Sequence, residues 1–243
     1  ADLAALLGVL SHDLWPRLLN RLDIARISDL FEELPDHLRD DLAEHLHPEQ
    51  LTDALGEMAS DDAADVIADL PERVARGVIR ALPRQDRREV EALLAYPEDS
   101  AGGLMQMELV SISEDASVNE VVEAIRSERD DVGEVFFVYV VDADDRLVGV
   151  LNLGALLLAR GNRAIRDLMK TKIHAVNPEE DQESVARIFK RYDLVALPVV
   201  DAEGRLLGRI MHDDVVDVLQ EEADEDIMHR AGATTGEPEL VYT

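Results

Sequence analysis

The sequence predicts a multi-domain chain: an all-α superhelical N-terminal domain, then an α+β unit written twice, then an acidic C-terminal helix. Three observations carry this. Apolar residues recur at helical spacing through the first 95 or so positions, a strand–helix–strand–turn–strand–helix pattern occurs in two copies, and carboxylates line one side of the segment after residue 213.

In the N-terminal part the apolar spacing runs through Leu30, Leu34, Leu38 and Leu42, through Leu51 and Leu55, and through Val74, Val78 and Leu82. Pro35, Pro48, Pro71 and Pro83 fall between these runs, where a proline closes one helix or opens the next. DLFEELP at 29–35 returns as DVIADLP at 65–71, a repeat that predicts stacked helix pairs with a curved surface over residues 1–95.

The second part repeats at longer range. LMQMEL at 104–109 returns as LMKTKI at 168–173, 64 positions on, and DADDRLVG at 142–149 returns as DAEGRLLG at 201–208, 59 positions on. The difference places a short insertion in the first copy near 130–134. Two copies are too few for a solenoid and predict similar units packed on each other, at 104–160 and 161–220. YPEDSAGG at 96–103 joins them to the helical part. Pro97 fixes its own φ and the Gly102-Gly103 pair admits either a hinge or the close approach of another backbone.

Composition sets the chemistry. With 53 acidic and 24 basic residues the net charge is −29, so a compact state repels itself unless cations bind. Nucleic acid is excluded as a partner, since phosphate binding needs a basic face. There is no cysteine, hence no disulfide or thiolate metal site, in keeping with a reducing cytoplasm. The longest apolar run, 135–141, falls short of the roughly 18 residues of a membrane helix. His45 and His47 are too close for a zinc-binding helical pair, and no phosphate-binding loop, serine elbow or aromatic-rich sugar cleft is present. The chain does not read as an enzyme.

Carboxylates are what remains, and they suit a hard cation such as Mg²⁺, which keeps several waters and takes one or two carboxylates directly. Asp61 and Asp65 lie at i and i+4 on one helix face, able to share a hydrated ion. Their neighbourhood also reads as an ordinary helix start, with Ser60 as N-cap and Asp61 and Asp62 at the positive end of the dipole. Over 213–230, Asp214, Asp217, Glu221 and Glu225 step by 3, 4 and 4 and fall in one stripe bordered by Glu222, with Val215, Val216, Leu219, Ala223 and Ile227 opposite. Like charges at i and i+4 disfavour that helix unless something compensates.

The two copies resemble the CBS module, whose tandem pairs commonly act as ligand sensors. With YPEDSAGGLM just upstream, the acidic run DDVVDVLQEEADED at 213–226 downstream and PELVYT at the end, the whole order is similar to the cytosolic part of an MgtE-type magnesium channel or transporter. The resemblance implies a homodimer formed through the CBS units on the cytoplasmic face of the membrane, with a covalently linked pore domain beyond Thr243. It also implies Mg²⁺ as the ligand. Positions matching the family's magnesium-linked residues are Asp61 and Asp65, with Asp41 on a preceding helix, and Gly103, whose carbonyl would face an ion. In the second copy Asp181, Glu183 and Asp193 match, and on the acidic helix Asp214, Asp217, Glu222 and Glu225. An interaction scaffold that senses neither ligand is one alternative reading, and an adenosine nucleotide such as ATP is the alternative ligand, bound by CBS pairs through GxxTxxD. The first copy offers Gly149, Asn152 and Ala155, the second Gly208, Met211 and Asp214, so only the second retains the Asp and neither the hydroxyl residue.

Overall fold

A computed structural model describes residues 2–127, 135–216 and 218–220. The helical part comprises α1 (Asp2–Leu7), α2 (Trp15–Leu19), α3 (Ile24–Glu33), α4 (Asp36–His45), α5 (Pro48–Leu55), α6 (Ser60–Asp69), α7 (Glu72–Ala81) and α8 (Arg84–Leu93). Alternate helices stack, α3 on α5, α5 on α7 and α6 on α8, as in a superhelix. The four prolines open helices: Pro35, Pro71 and Pro83 are the N-caps of α4, α7 and α8, and Pro48 is the first residue of α5. There the missing N–H costs nothing, because the first turn has no partner for it.

The first repeat contains β1 (Val110–Ser113), α9 (Val118–Ser127), β2 (Phe137–Val141), β3 (Leu147–Asn152) and α10 (Leu153–Leu158). The second contains α11 (Gln182–Tyr192), β4 (Ala196–Val200) and β5 (Leu206–Met211), followed by helical residues at 212–216 and 218–220. β1 pairs parallel to β2 and β2 antiparallel to β3, while β4 pairs antiparallel to β5.

One expected strand is lacking. The counterpart of β1 shrinks to a single parallel bridge, Val176 to Val199, held by Val176 N–H on the Pro198 carbonyl and Val200 N–H on the Val176 carbonyl. Extending that ladder in either direction needs the amide of Pro198 or of Pro178, and proline has none. The first copy has Tyr139 and Glu114 at those places, and Glu114 N–H does bond the Val141 carbonyl.

The two copies face each other across a local dyad that the repeat offsets describe. Gln106 bridges to Arg209 of β5, and its counterpart Lys170 bridges to Val150 of β3, which is the counterpart of Arg209. Arg146 pairs with its own counterpart Arg205, on the axis. The lead-in of each copy thus completes the sheet of the other, and neither sheet is whole alone. One hydrophobic core runs from Trp15 and Phe31 through Val90 and Met105 into Phe189 and Ile210 of the second copy, whereas the first copy has its own core around Val121, Val138 and Leu151. No helix among the described residues is long and apolar enough to cross a membrane.

A carboxylate cluster at the domain boundary

α6 carries its acids into the boundary between the helical domain and the repeats. Its N-cap is Ala59, not Ser60, and Ser60 uses its side chain elsewhere. The Ser60 amide and hydroxyl both donate to the Glu108 carboxylate, at 3.0 and 2.8 Å, and the same hydroxyl accepts from Met107 N–H at 2.9 Å. A helix start that would normally cap itself is capped by the neighbouring domain. This holds Glu108 against the next residue, Asp61.

Asp61 is buried, at 5% exposure, and its Oδ1 has no hydrogen-bond partner among the described residues. Burial raises its pKa well above the ordinary carboxylate value, and the charges of Asp62, Asp214 and Glu108 add to that. One turn on, Asp65 is pushed up to about 7, chiefly by burial and then by Glu98 and Asp62, with Arg39 opposing. Asp61 and Asp65 thus stand one turn apart on α6, and both sit where negative charge is costly.

Asp214, in the opening turn of the last helical segment, accepts from Met211 N–H through Oδ2 at 3.0 Å, an N3 side chain reaching back to its own N-cap. The segment docks through Val215 and Val218, 2% and 3% exposed, whereas Leu219, expected on the docking side, is 45% exposed. Asp214 is half-buried and faces the Asp61 cluster rather than pointing outward. Asp217, Glu222 and Glu225 lie outside the described residues, as does most of the acidic stripe.

The joint at 96–103 is packed onto the second copy. Ala101 N–H bonds the Glu180 carbonyl, Gly102 N–H that of Pro178, and Gln182 N–H that of Asp99. The glycines answer a close approach: a Cβ on Gly102 would fall 2.4 Å from the Tyr96 ring, and one on Gly103 2.6 Å from the carbonyl oxygens of Pro97 and Glu98. Gly103 is thereby folded against Glu98, the residue whose charge acts on Asp65.

The remaining expected positions stand apart from this cluster and hold local structure. Asp41 faces His12 at 3.7 Å, and its carbonyl lies 2.6 Å from Nδ1 of His45. Asp181 caps α11, accepting from the amides of Glu183 and Ser184, and Glu183 pairs with Arg187 at 3.1 Å. Asp193 closes the same helix in the left-handed conformation, φ 51° and ψ 53°. No group of three or more His, Asp or Glu side chains among the described residues is arranged to hold a metal ion. Reading the sequence passed over Glu98 and Glu108. A signal existed for Glu108: its counterpart in the second copy is Lys172, a charge reversal inside an otherwise close repeat.

A helical superhelix joined by a packed linker to a doubled α+β unit, with buried carboxylates at the boundary, is the architecture of a helical N domain followed by a CBS pair. Residues 1–99 match the MgtE intracellular N domain, and 101–162 and 165–221 each match the CBS domain. The chain belongs to the MgtE family. It is 46% identical over 162 residues to the magnesium transporter MgtE of Thermus thermophilus, covering 67% of this chain and 36% of that protein. With the MgtE of Enterococcus faecalis the identity is 32% over 219 residues, covering 90% of this chain and 48% of the relative. The chain thus spans half or less of the length of these transporters. Its fold superposes on the crystal structure of the cytosolic domain of the Mg²⁺ channel MgtE in complex with ATP, with a TM-score of 0.84, 37% identity and 89% of each chain covered.

Proposed function

We propose that this chain is the Mg²⁺-sensing regulatory region of a magnesium channel or transporter, lying at the cytoplasmic face of the membrane and linked to a pore outside the chain. The observation that carries this reading is Asp61: a buried carboxylate with an unpartnered oxygen, turned toward Glu108 and Asp214 of the other domain. Such a group needs a proton or a cation. The donors are hard carboxylate oxygens, and one or two of them with retained waters suit Mg²⁺ better than a softer metal. Asp61 and Asp214 would hold one ion with Glu108 beside them, and Asp65 a second near Glu98 and the Gly103 carbonyl. Asp41, Asp181, Glu183, Asp193, Asp217, Glu222 and Glu225 would contribute to further sites.

Mg²⁺ then favours the compact arrangement, which holds the pore shut, by its differential affinity for that state. On removal of the ion the carboxylates repel and the helical domain separates from the CBS pair. A homodimer through the CBS units is supported by the apolar Phe136, Leu157 and Leu158, 40%, 75% and 91% exposed at one end of the first copy. The test is limited proteolysis and X-ray scattering across a millimolar Mg²⁺ titration, for the wild type and Asp61→Ala. A molecular envelope that is the same in EDTA and in Mg²⁺ overturns the sensor.

ATP as the ligand is the second reading, supported by the ATP complex of the 37%-identical neighbour. Asn152 caps α10 through Ala155 N–H and Asp214 caps the last segment, so both side chains are engaged where a ribose would bind. Calorimetry with ATP, with and without Mg²⁺, separates the two readings.

A further inference from the structure

A groove of about 970 Å³ opens on the helical domain between α4, α5 and α7. Its floor is one stripe of α7, Val74, Gly77, Val78 and Ala81, spaced i, i+3, i+4 and i+7, backed by Leu51 and Leu70. Val74 is 41% exposed there. Gly77 is in the middle of α7, where glycine is less favourable than alanine, and a Cβ on it would meet nothing within 4 Å. No neighbour among the described residues demands that glycine. With Ala81 one turn on, it keeps the floor low enough for the backbone of another helix to come close.

The rim is charged. Asp40 and Glu44 on α4 and Glu49 and Asp53 on α5 are exposed along the groove, and Arg73 is the one cation among its lining residues. The acidic run at 213–226 is repelled by such a rim.

We propose that this groove is a docking site for an amphipathic helix of a separate partner protein, with an apolar stripe seated on Val74, Gly77 and Ala81 and Lys or Arg on its flanks. Apolar floor, small residues at four-residue spacing and acidic borders are the features of helix-in-groove recognition with charge steering. Asp69, the last residue of α6, lines the groove, whereas Asp61 and Asp65 do not, and the docking proposed does not depend on Mg²⁺ sensing.

The test uses a synthetic helical peptide of about 14 residues, roughly four turns, with Leu at i, i+3, i+4 and i+7 and Lys elsewhere, against the full chain at about 0.15 M salt. A scrambled peptide of the same composition is the control. Fluorescence anisotropy is expected to show the amphipathic peptide binding at least about ten-fold tighter than the scrambled one. Gly77→Leu should weaken it by about ten-fold or more while raising the melting temperature, and Glu44→Gln/Glu49→Gln should weaken it with a smaller salt dependence. Equal binding of both peptides, or unchanged binding to Gly77→Leu and to Gly77→Met, overturns the proposal as unspecific attraction to an acidic protein. Self-association of the wild type that Gly77→Leu abolishes assigns the groove to a second copy and overturns the separate partner.

Discussion

Ser60 grips Glu108 with two hydrogen bonds from one residue, its amide to Oε1 at 3.0 Å and its hydroxyl to Oε2 at 2.8 Å. The helical domain and the first copy are latched at the point where Asp61 is buried. Ser60→Ala leaves Met107 N–H without its acceptor and removes a charge-assisted bond, so a loss of about 1–3 kcal/mol is expected. Denaturant unfolding measures it, and an unchanged midpoint would mean the latch is not formed in solution.

Asp61→Asn keeps the shape and removes the charge. In EDTA the variant should melt above the wild type by roughly 2–4 °C per kcal/mol of relieved repulsion. Added Mg²⁺ should then raise its melting temperature far less than it raises that of the wild type. Calorimetric melts at matched ionic strength decide this, and an equal Mg²⁺ shift in both proteins removes Asp61 from the ion site.

Asp65 gives the pH dependence. Its folded pKa of about 7 exceeds the unfolded value, so the native state binds more protons between about pH 4 and 7. Stability without metal therefore falls as pH rises through that window, by a few kcal/mol at most. Asp65→Asn should flatten the melting temperature between about pH 5 and 7.5, a range that runs from about one unit above the unfolded pKa to just above the folded one. Mg²⁺ binding by the wild type should release protons near neutral pH, which calorimetry in buffers of different ionisation enthalpy detects.

Gly103→Ala forces a methyl onto the Pro97 and Glu98 carbonyl oxygens, both backbone atoms that cannot swing aside. A cost of about 2–3 kcal/mol is expected, with weakened docking of the joint on the second copy. Hydrogen exchange at Ala101 and Gly102, whose amides bond Glu180 and Pro178, should accelerate.

The two strand turns test the local dyad. Gly204 adopts φ 83°, and its counterpart Asp145 adopts φ 62° without being glycine. Gly204→Ala should cost about 1 kcal/mol and Asp145→Gly should cost little or stabilise slightly. Equal destabilisation by both, read by urea unfolding, contradicts equivalent turns.

The superhelix and the doubled unit were legible because proline position and apolar spacing act within a few residues of themselves. The lost strand at Val176 was legible in principle, as Pro178 and Pro198 stand in the sequence. Its loss became evident only when pairing showed which two amides the ladder required. Of the carboxylates at the boundary, Asp61, Asp65 and Asp214 were marked in the sequence by helical spacing and family resemblance. Glu98 and Glu108 were not, since neither belongs to a helical stripe and each gains its meaning from a partner about 30 to 50 positions earlier. Ser60 was misassigned as an N-cap for the same reason: a hydroxyl at a helix start has a local use by default, and here a distant carboxylate outcompetes it.

By itself the sequence determined the order of domains, the repeat and the excess of negative charge, all properties of short stretches or of sums over the chain. Which carboxylates are driven from water, and which face each other across the boundary, was decided by tertiary packing. Desolvation and Coulomb repulsion depend on distances between segments remote in sequence, and those distances exist only once the chain has folded.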